Sequence, residues 1–265
     1  MCSRIVPRAA ALVLGAAPMA APAFADGLKD EIAPTGKLRV AIGISAAGGA
    51  FWSNKTEAGG YTGVPVDLGK DMAAQLGVPA EYVAYPNSGK ITDAAATGAW
   101  DVTFLPQDPE REIRMSFGPI YEVADATYIV KAGSTIKDFA TLDQPGVKVA
   151  AVNATTTMRG AQAHLKSAKV TGYQTYDEIF NLLKNGEIDA FALSRDQLNE
   201  MAKKIPGTKV LDQTFKKTIT AVAVPLNHPQ SLAFAKKFMT DAISNGTMRK
   251  AYDNNGLKGK PIRTE

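Results

Sequence analysis

Arg111, in the run Asp108-Pro109-Glu110-Arg111-Glu112, is a fixed cation whose planar fork of donors suits a carboxylate. Thr155-Thr156-Thr157 sits where a helix is expected to begin, so it offers hydroxyls and free backbone N–H groups, the makings of an anion site. Together the two could hold an acid group between two lobes. A plainer reading stands beside this one: the threonines only cap a helix, and Arg111 only pairs with Glu110 or Glu112. Phe51-Trp52 could stack on a ligand or fill a core.

Other chemistries have little to work with. The only cysteine is Cys2, inside an expected leader, so the mature chain would have no disulfide, thiolate nucleophile or Cys-ligated metal. His164 and His228 are the only histidines, and each reads as a surface or packing residue rather than part of a metal site or a Ser–His triad. No metal and no cofactor is expected. The leader itself is read from Arg4 and Arg8, the short apolar run 9–14 and Ala23-Phe24-Ala25, with cleavage expected before Asp26. That run is too short to span a bilayer core of ~30 Å, and no later segment is long and apolar enough either. No membrane insertion of the mature chain is expected. Without the leader the charge is nearly balanced, 28 basic against 26 acidic residues, with the signs well mixed. Nucleic acid is therefore a poor candidate partner.

The elements that must position these residues alternate. Strands are expected at 38–44, 80–84, 102–105, 127–131, 148–152, 169–172, 190–193 and 218–224. Helices are expected at 67–76, where Leu68, Met72 and Leu76 share a face, and at 91–97, 157–165, 176–185, 230–244 and 247–253. Strands alternating with helices of ~10 residues imply an α/β chain with mainly parallel sheets flanked by helices. Its length, at 45% hydrophobic, suffices for one large core or two ordinary lobes. An internal echo favours two: Thr97-Gly98-Ala99-Trp100-Asp101-Val102 and Asn185-Gly186-Glu187-Ile188-Asp189-Ala190 share a helix end, a glycine, two residues, an aspartate and an apolar strand.

Ligands in open α/β sheets bind beyond the carboxyl ends of the strands. The residues there are Ser45, Phe51 and Trp52 after the first strand, and Asn87 and Ser88 after the second. Gln107, Asp108 and Arg111 follow the third, which ends at Leu105; Thr155 and Thr156 precede a helix, and Ser194, Arg195 and Asp196 follow the strand at 190–193.

With these in place the chain resembles the periplasmic solute-binding proteins of polar amino-acid ABC transporters, family 3, which have the type II periplasmic-binding fold. The resemblance covers roughly Gly36 to Gly256 and rests on five segments in order: 63–68, 98–102, 109–121, 149–156 and 246–252. It implies two lobes joined by crossover strands near 121–125 and 217–220, with lobe 1 formed by 26–122 plus 221–265 and lobe 2 by 123–220. It implies that Arg111 meets the ligand's carboxylate with help from Thr155 and Thr156, and that hinge closure encloses a small polar solute, an amino acid or a small carboxylate. A monomer exported to the periplasm and an inner-membrane ABC permease as partner follow from the same resemblance, and no catalysis is expected.

The chain departs from the family pattern in the cradle. The usual Gly-x-Thr-x-Thr before the arginine is replaced by Leu105-Pro106-Gln107-Asp108, where proline removes a backbone donor. The position that usually supplies an aspartate for an α-ammonium falls near Ser194, and a frequent stacking aromatic is replaced by Asn87. An ammonium would need Asp108 or Asp196 instead. Two alternatives stay open: a dehydratase- or lyase-like enzyme using Asp108, Glu110 or Asp196 as its acid, or a periplasmic partner protein that has lost ligand binding.

Overall fold

The computed structural model describes residues 24–44 and 49–264. The chain begins with α1 (Phe24–Ile32), β1 (Leu38–Gly43), the short β2 (Asn54–Lys55) and β3 (Tyr61–Thr62), and α2 (Val64–Leu76). It continues through β4 (Ala80–Tyr85), α3 (Ser88–Asp93), β5 (Val102–Pro106), α4 (Pro109–Glu112) and the long β6 (Met115–Val130). Next come α5 (Phe139–Leu142), β7 (Lys148–Val152), α6 (Thr156–His164), β8 (Lys169–Tyr173), α7 (Tyr176–Lys184) and β9 (Ala190–Ser194). The last elements are α8 (Arg195–Lys204), β10 (Lys209–Val210), β11 (Lys216–Pro225), α9 (Pro229–Ser244) and α10 (Thr247–Asn254).

Nine of these strands form one sheet in the order β4-β1-β5-β11-β6-β9-β7-β8, with β10 paired to β6. β1 is parallel to both its neighbours, and so is β7, while β6 and β11 run antiparallel to theirs. Side chains alternate along each strand and so give each half of the sheet a core on either face. In the first half Val40, Ile42, Val222 and Val224 pack with α2, α9 and α10, and Ala41 and Ala223 turn to Ile91, Trp100 and Leu105. In the second, Ala150, Val152, Phe191 and Leu193 join one cluster, and Val149, Ala151, Ala190 and Ala192 the other. The first two clusters draw on residues up to Tyr121 and from Val222 onward, and the other two on 128–215. These are two lobes with separate cores, and β6 and β11 carry the chain between them.

Several elements differ from the sequence expectations for local reasons. The sequence places β6 only at 127–131, because Pro119, Glu122 and Asp125 interrupt its apolar pattern; its pairing along β11 from Met115 to Ala126 supplies what the pattern lacks. α2 starts three residues early, since Pro65 is tolerated in a first turn. Gly63, before that turn, has φ 138° and would place a Cβ 2.2 Å from the Trp52 carbonyl oxygen, so only glycine fits. α8 is an additional helix, mostly polar, whose buried apolar residues are just Leu198 and Met201.

The internal echo is a structural one. Gly98 and Gly186 both take positive φ, 66° and 74°. The aspartate of each copy ties down the first strand of its lobe: Asp101 accepts from Arg39 N at 2.7 Å, and Asp189 from Lys148 N at 2.8 Å. His164 stacks on Phe215 and lies 3.2 Å from the Tyr128 hydroxyl, a packing role. The expected leader, 1–25, lies outside the described residues except for its last two positions.

Candidate functional site

The carboxyl ends of β1, β4 and β5 in one lobe face those of β7, β8 and β9 in the other, and contacts cross the gap on several sides. The Asn87 side-chain amide donates to the Gln174 carbonyl at 2.9 Å. Trp52 meets Tyr176 edge-on, with ring centroids 6.2 Å apart. Arg159, on α6, forms an ion pair with Asp108 and another with Glu110 at 3.0 Å. Lys260, in the C-terminal segment that packs on the first lobe, reaches Asp196 of α8 at 2.7 Å. The lobes are closed on one another.

Arg111 lies inside this closure with 1% of its surface exposed. The geometry that buries it is local: Asp108 caps α4 by accepting from Arg111 N at 3.1 Å, and the short helix turns the arginine back under the end of β5. One terminal nitrogen donates to the Pro106 carbonyl and the other to Ser88 Oγ at 2.7 Å, while Nε has no partner. Burial pulls the guanidinium down to about 10, with Asp108 lifting it and Arg159 pushing it further down. It therefore keeps its charge at neutral pH. The buried Tyr176 hydroxyl also makes no well-formed hydrogen bond. Burial raises its pKa, against the opposing effects of nearby Arg111 and Gln197, so it remains protonated. A buried cation with a spare N–H is what an anion entering the cleft would satisfy.

The other expected residues divide. Asn87 and Ser88 are buried where the lobes meet, and Asn87 also caps α3 through Lys90 N. Thr155 caps α6, accepting from Met158 N while its hydroxyl donates to the Val152 carbonyl; Thr156 is buried beside it. Thr155's hydroxyl is thus engaged in the capping role. The Ser194 hydroxyl is likewise given to Gln197. Asp108 holds Arg159, while Gln107 turns aside to donate to Glu112 at 2.7 Å. Leu105 is buried in a core with Ile91 and Trp100. Phe51 packs on Tyr252 with Lys260 over its ring, whereas Trp52 lies in the cleft above Gly43. Ser45 lies outside the described residues.

Sequence reasoning passed over Arg159, Tyr176, Gln197 and Lys260. One signal was available: Arg159 follows Thr155 and Thr156 by four and three residues, which puts it on their side of a helix. Among the described residues no group of three or more His, Cys, Asp or Glu could hold a metal, and no helix is long and apolar enough to cross a membrane.

Fold and site together describe a binding protein of the two-lobed kind, with its cleft between strand ends. The chain belongs to the bacterial extracellular solute-binding proteins, family 3, whose pattern matches residues 40–257. It is 27% identical to the glutamine-binding protein of Geobacillus stearothermophilus, over 71% of this chain and 72% of that one. It is equally similar, at 27%, to the ABC transporter arginine-binding protein 1 of Escherichia coli (strain K12), over 72% of this chain and 80% of that one. Among solved structures, an ancestral amino acid-binding protein described as a precursor of cyclohexadienyl dehydratase superposes with a TM-score of 0.75 at 31% identity, covering 86% of this chain and 98% of its own. An ancestral arginine-binding protein bound to glutamine gives 0.74 at 28%, covering 84% and 98%.

Proposed function

We infer that this chain is the solute-binding component of an ABC importer, capturing a small carboxylate-bearing solute, an amino acid or organic acid, by hinge closure. The observation that carries the reading is Arg111: a charged guanidinium, 1% exposed, with an unpartnered N–H between two lobes. A protein retains such a group at a cost in stability unless a ligand completes it. The names of the relatives, a glutamine-binding protein and an ABC transporter arginine-binding protein, support the same class. In this reading the lobes are 26–122 with 221–265, and 123–220, hinged where β6 and β11 cross. The interrupted register of β11 around Thr220–Ala223 supports the placement. The mature chain acts as a monomer in the periplasm after loss of its leader, and hands its solute to an inner-membrane permease.

Native mass spectrometry of freshly purified protein, followed by calorimetric titration with amino acids and small organic acids, tests the reading. One-to-one binding to a carboxylate-bearing member is expected, and silence across the panel would overturn it. The dehydratase-linked neighbour motivates an enzymatic alternative, which predicts that a bound ligand is released with altered mass.

Closure has its own test. A Cβ on Gly89 of α3 would stand 2.6 Å from the Cβ of Ala154 across the gap, against about 3.4 Å or more for ordinary contact. Gly89→Val is expected to hold the lobes apart and weaken binding about tenfold, by shifting the population away from the closed form. Small-angle scattering should show the variant expanded in saturating ligand. A variant as compact and as tight as the parent would rule out closure at this contact.

A further inference from the structure

We propose that Arg159 makes the cleft selective for a compact carboxylate that carries no ammonium group, and so turns it against α-amino acids. The inference rests on the binding-protein reading and narrows it.

The argument is a census of buried charge. Three carboxylates are buried among the described residues: Asp101, Asp108 and Glu122. Each is held by a cation, Asp101 by Arg39, Asp108 by Arg159 and Glu122 by Lys260. Asp108 is the one beside Arg111, and each of its oxygens already accepts a hydrogen bond. Oδ1 accepts from Arg111 N, and Oδ2 accepts from Arg159. The second guanidinium nitrogen of Arg159 takes Glu110 as well. Ser194, at the end of β9, is neutral, and its hydroxyl is given to Gln197.

A carboxylate entering the closed cleft meets Arg111 Nε–H, which has no partner, near the buried Tyr176 hydroxyl. An ammonium on the same molecule meets the Arg111 guanidinium and finds Asp108, the buried carboxylate beside it, already paired with Arg159. Burying a cation without a partner is among the most unfavourable steps available to a ligand. Size is limited by the same closure, because Trp52 against Tyr176 and Asn87 against Gln174 bring the walls together. In this arrangement Arg159 does not touch the solute; it sets the charge the solute sees by occupying Asp108.

The experiment is a calorimetric titration of the full mature chain with pairs differing only in the ammonium: propionate against alanine, and glutarate against glutamate. The parent is expected to bind the ammonium-free member of a pair at least tenfold more tightly. Arg159→Gln, which leaves Asp108 free, should narrow that ratio or reverse it, and Arg159→Lys, which keeps a cation there, should preserve it. Equal or tighter binding of the amino acid by the parent overturns the inference and leaves the binding-protein reading standing. Equal loss for both members in Arg159→Gln reduces Arg159 to a latch and also overturns it. Failure of the parent to bind either member of either pair, while the wider panel yields an amino acid, overturns it too. Silence everywhere removes the binding-protein reading with it.

Discussion

Replacing Arg111 by methionine is expected to weaken solute binding at least a hundredfold while leaving the empty protein as stable as before, or more so. The two effects have opposite signs because the guanidinium is incomplete on its own. With the lobes closed it is 1% exposed, with hydrogen bonds only to the Pro106 carbonyl and Ser88 Oγ and none at Nε. Methionine gives up those two charge-assisted bonds, each worth about 1.5–3 kcal/mol, and relieves a desolvated charge whose penalty is several kcal/mol. The flexible thioether fills the same volume. Asp108 is not stranded, because Arg159 still holds it. With solute bound the balance reverses: a buried carboxylate without its cation costs about 3–5 kcal/mol. Calorimetric affinities and thermal melts of the two proteins measure both halves. Unchanged affinity would remove Arg111 from the site, and a collapse in stability would make it a structural residue.

What could be read from the sequence was what depends on neighbours in the chain. Gly77, Gly98 and Gly186 end helices or turns with positive φ because the residues beside them demand it. The caps at Asn87, Asp108 and Thr155 are settled within three residues. Arg111 could be singled out because its planar fork suits a carboxylate and because the segment around it resembles the family's pattern. Pairings between distant segments were not legible. Nothing near residue 159 announces that it will meet Asp108, 51 positions earlier, or that Lys260 will reach Glu122 and Asp196. Thr155 shows the opposite difficulty, since a capping threonine and a ligand-binding threonine have the same neighbours in the chain. The structure shows its hydroxyl engaged locally. Phe51 and Trp52 are adjacent, yet one joins the rings of Tyr121 and Tyr252 while the other faces Tyr176, a distinction only the packing makes.

The stability of this protein is expected to fall by roughly 3 kcal/mol more than that of its Glu122→Gln variant as pH rises from about 4.5 to above 7. Glu122 lies on β6 where the strand passes between lobes, and 1% of it is exposed. Lys260 stands 3.2 Å away and is shared with Asp196, and the Tyr252 hydroxyl is aimed mainly at the Tyr121 carbonyl, 2.6 Å away, with the carboxylate at 3.5 Å. Burial lifts the Glu122 carboxyl to about 7 and the Asp196 charge adds to the lift, while Lys260 and Arg263 oppose it. Between the unfolded value near 4.5 and about 7 the folded chain keeps a proton that the unfolded chain has lost. Its contribution is therefore complete below the lower value and disappears as pH climbs through the upper one. Glutamine resembles the protonated acid and cannot titrate, so its curve lacks this slope. His164, whose pKa is lowered by burial, bends both curves alike and cancels in the comparison. Denaturant unfolding of both proteins at pH 5 and pH 8 gives the difference directly, and parallel curves would refute the assignment.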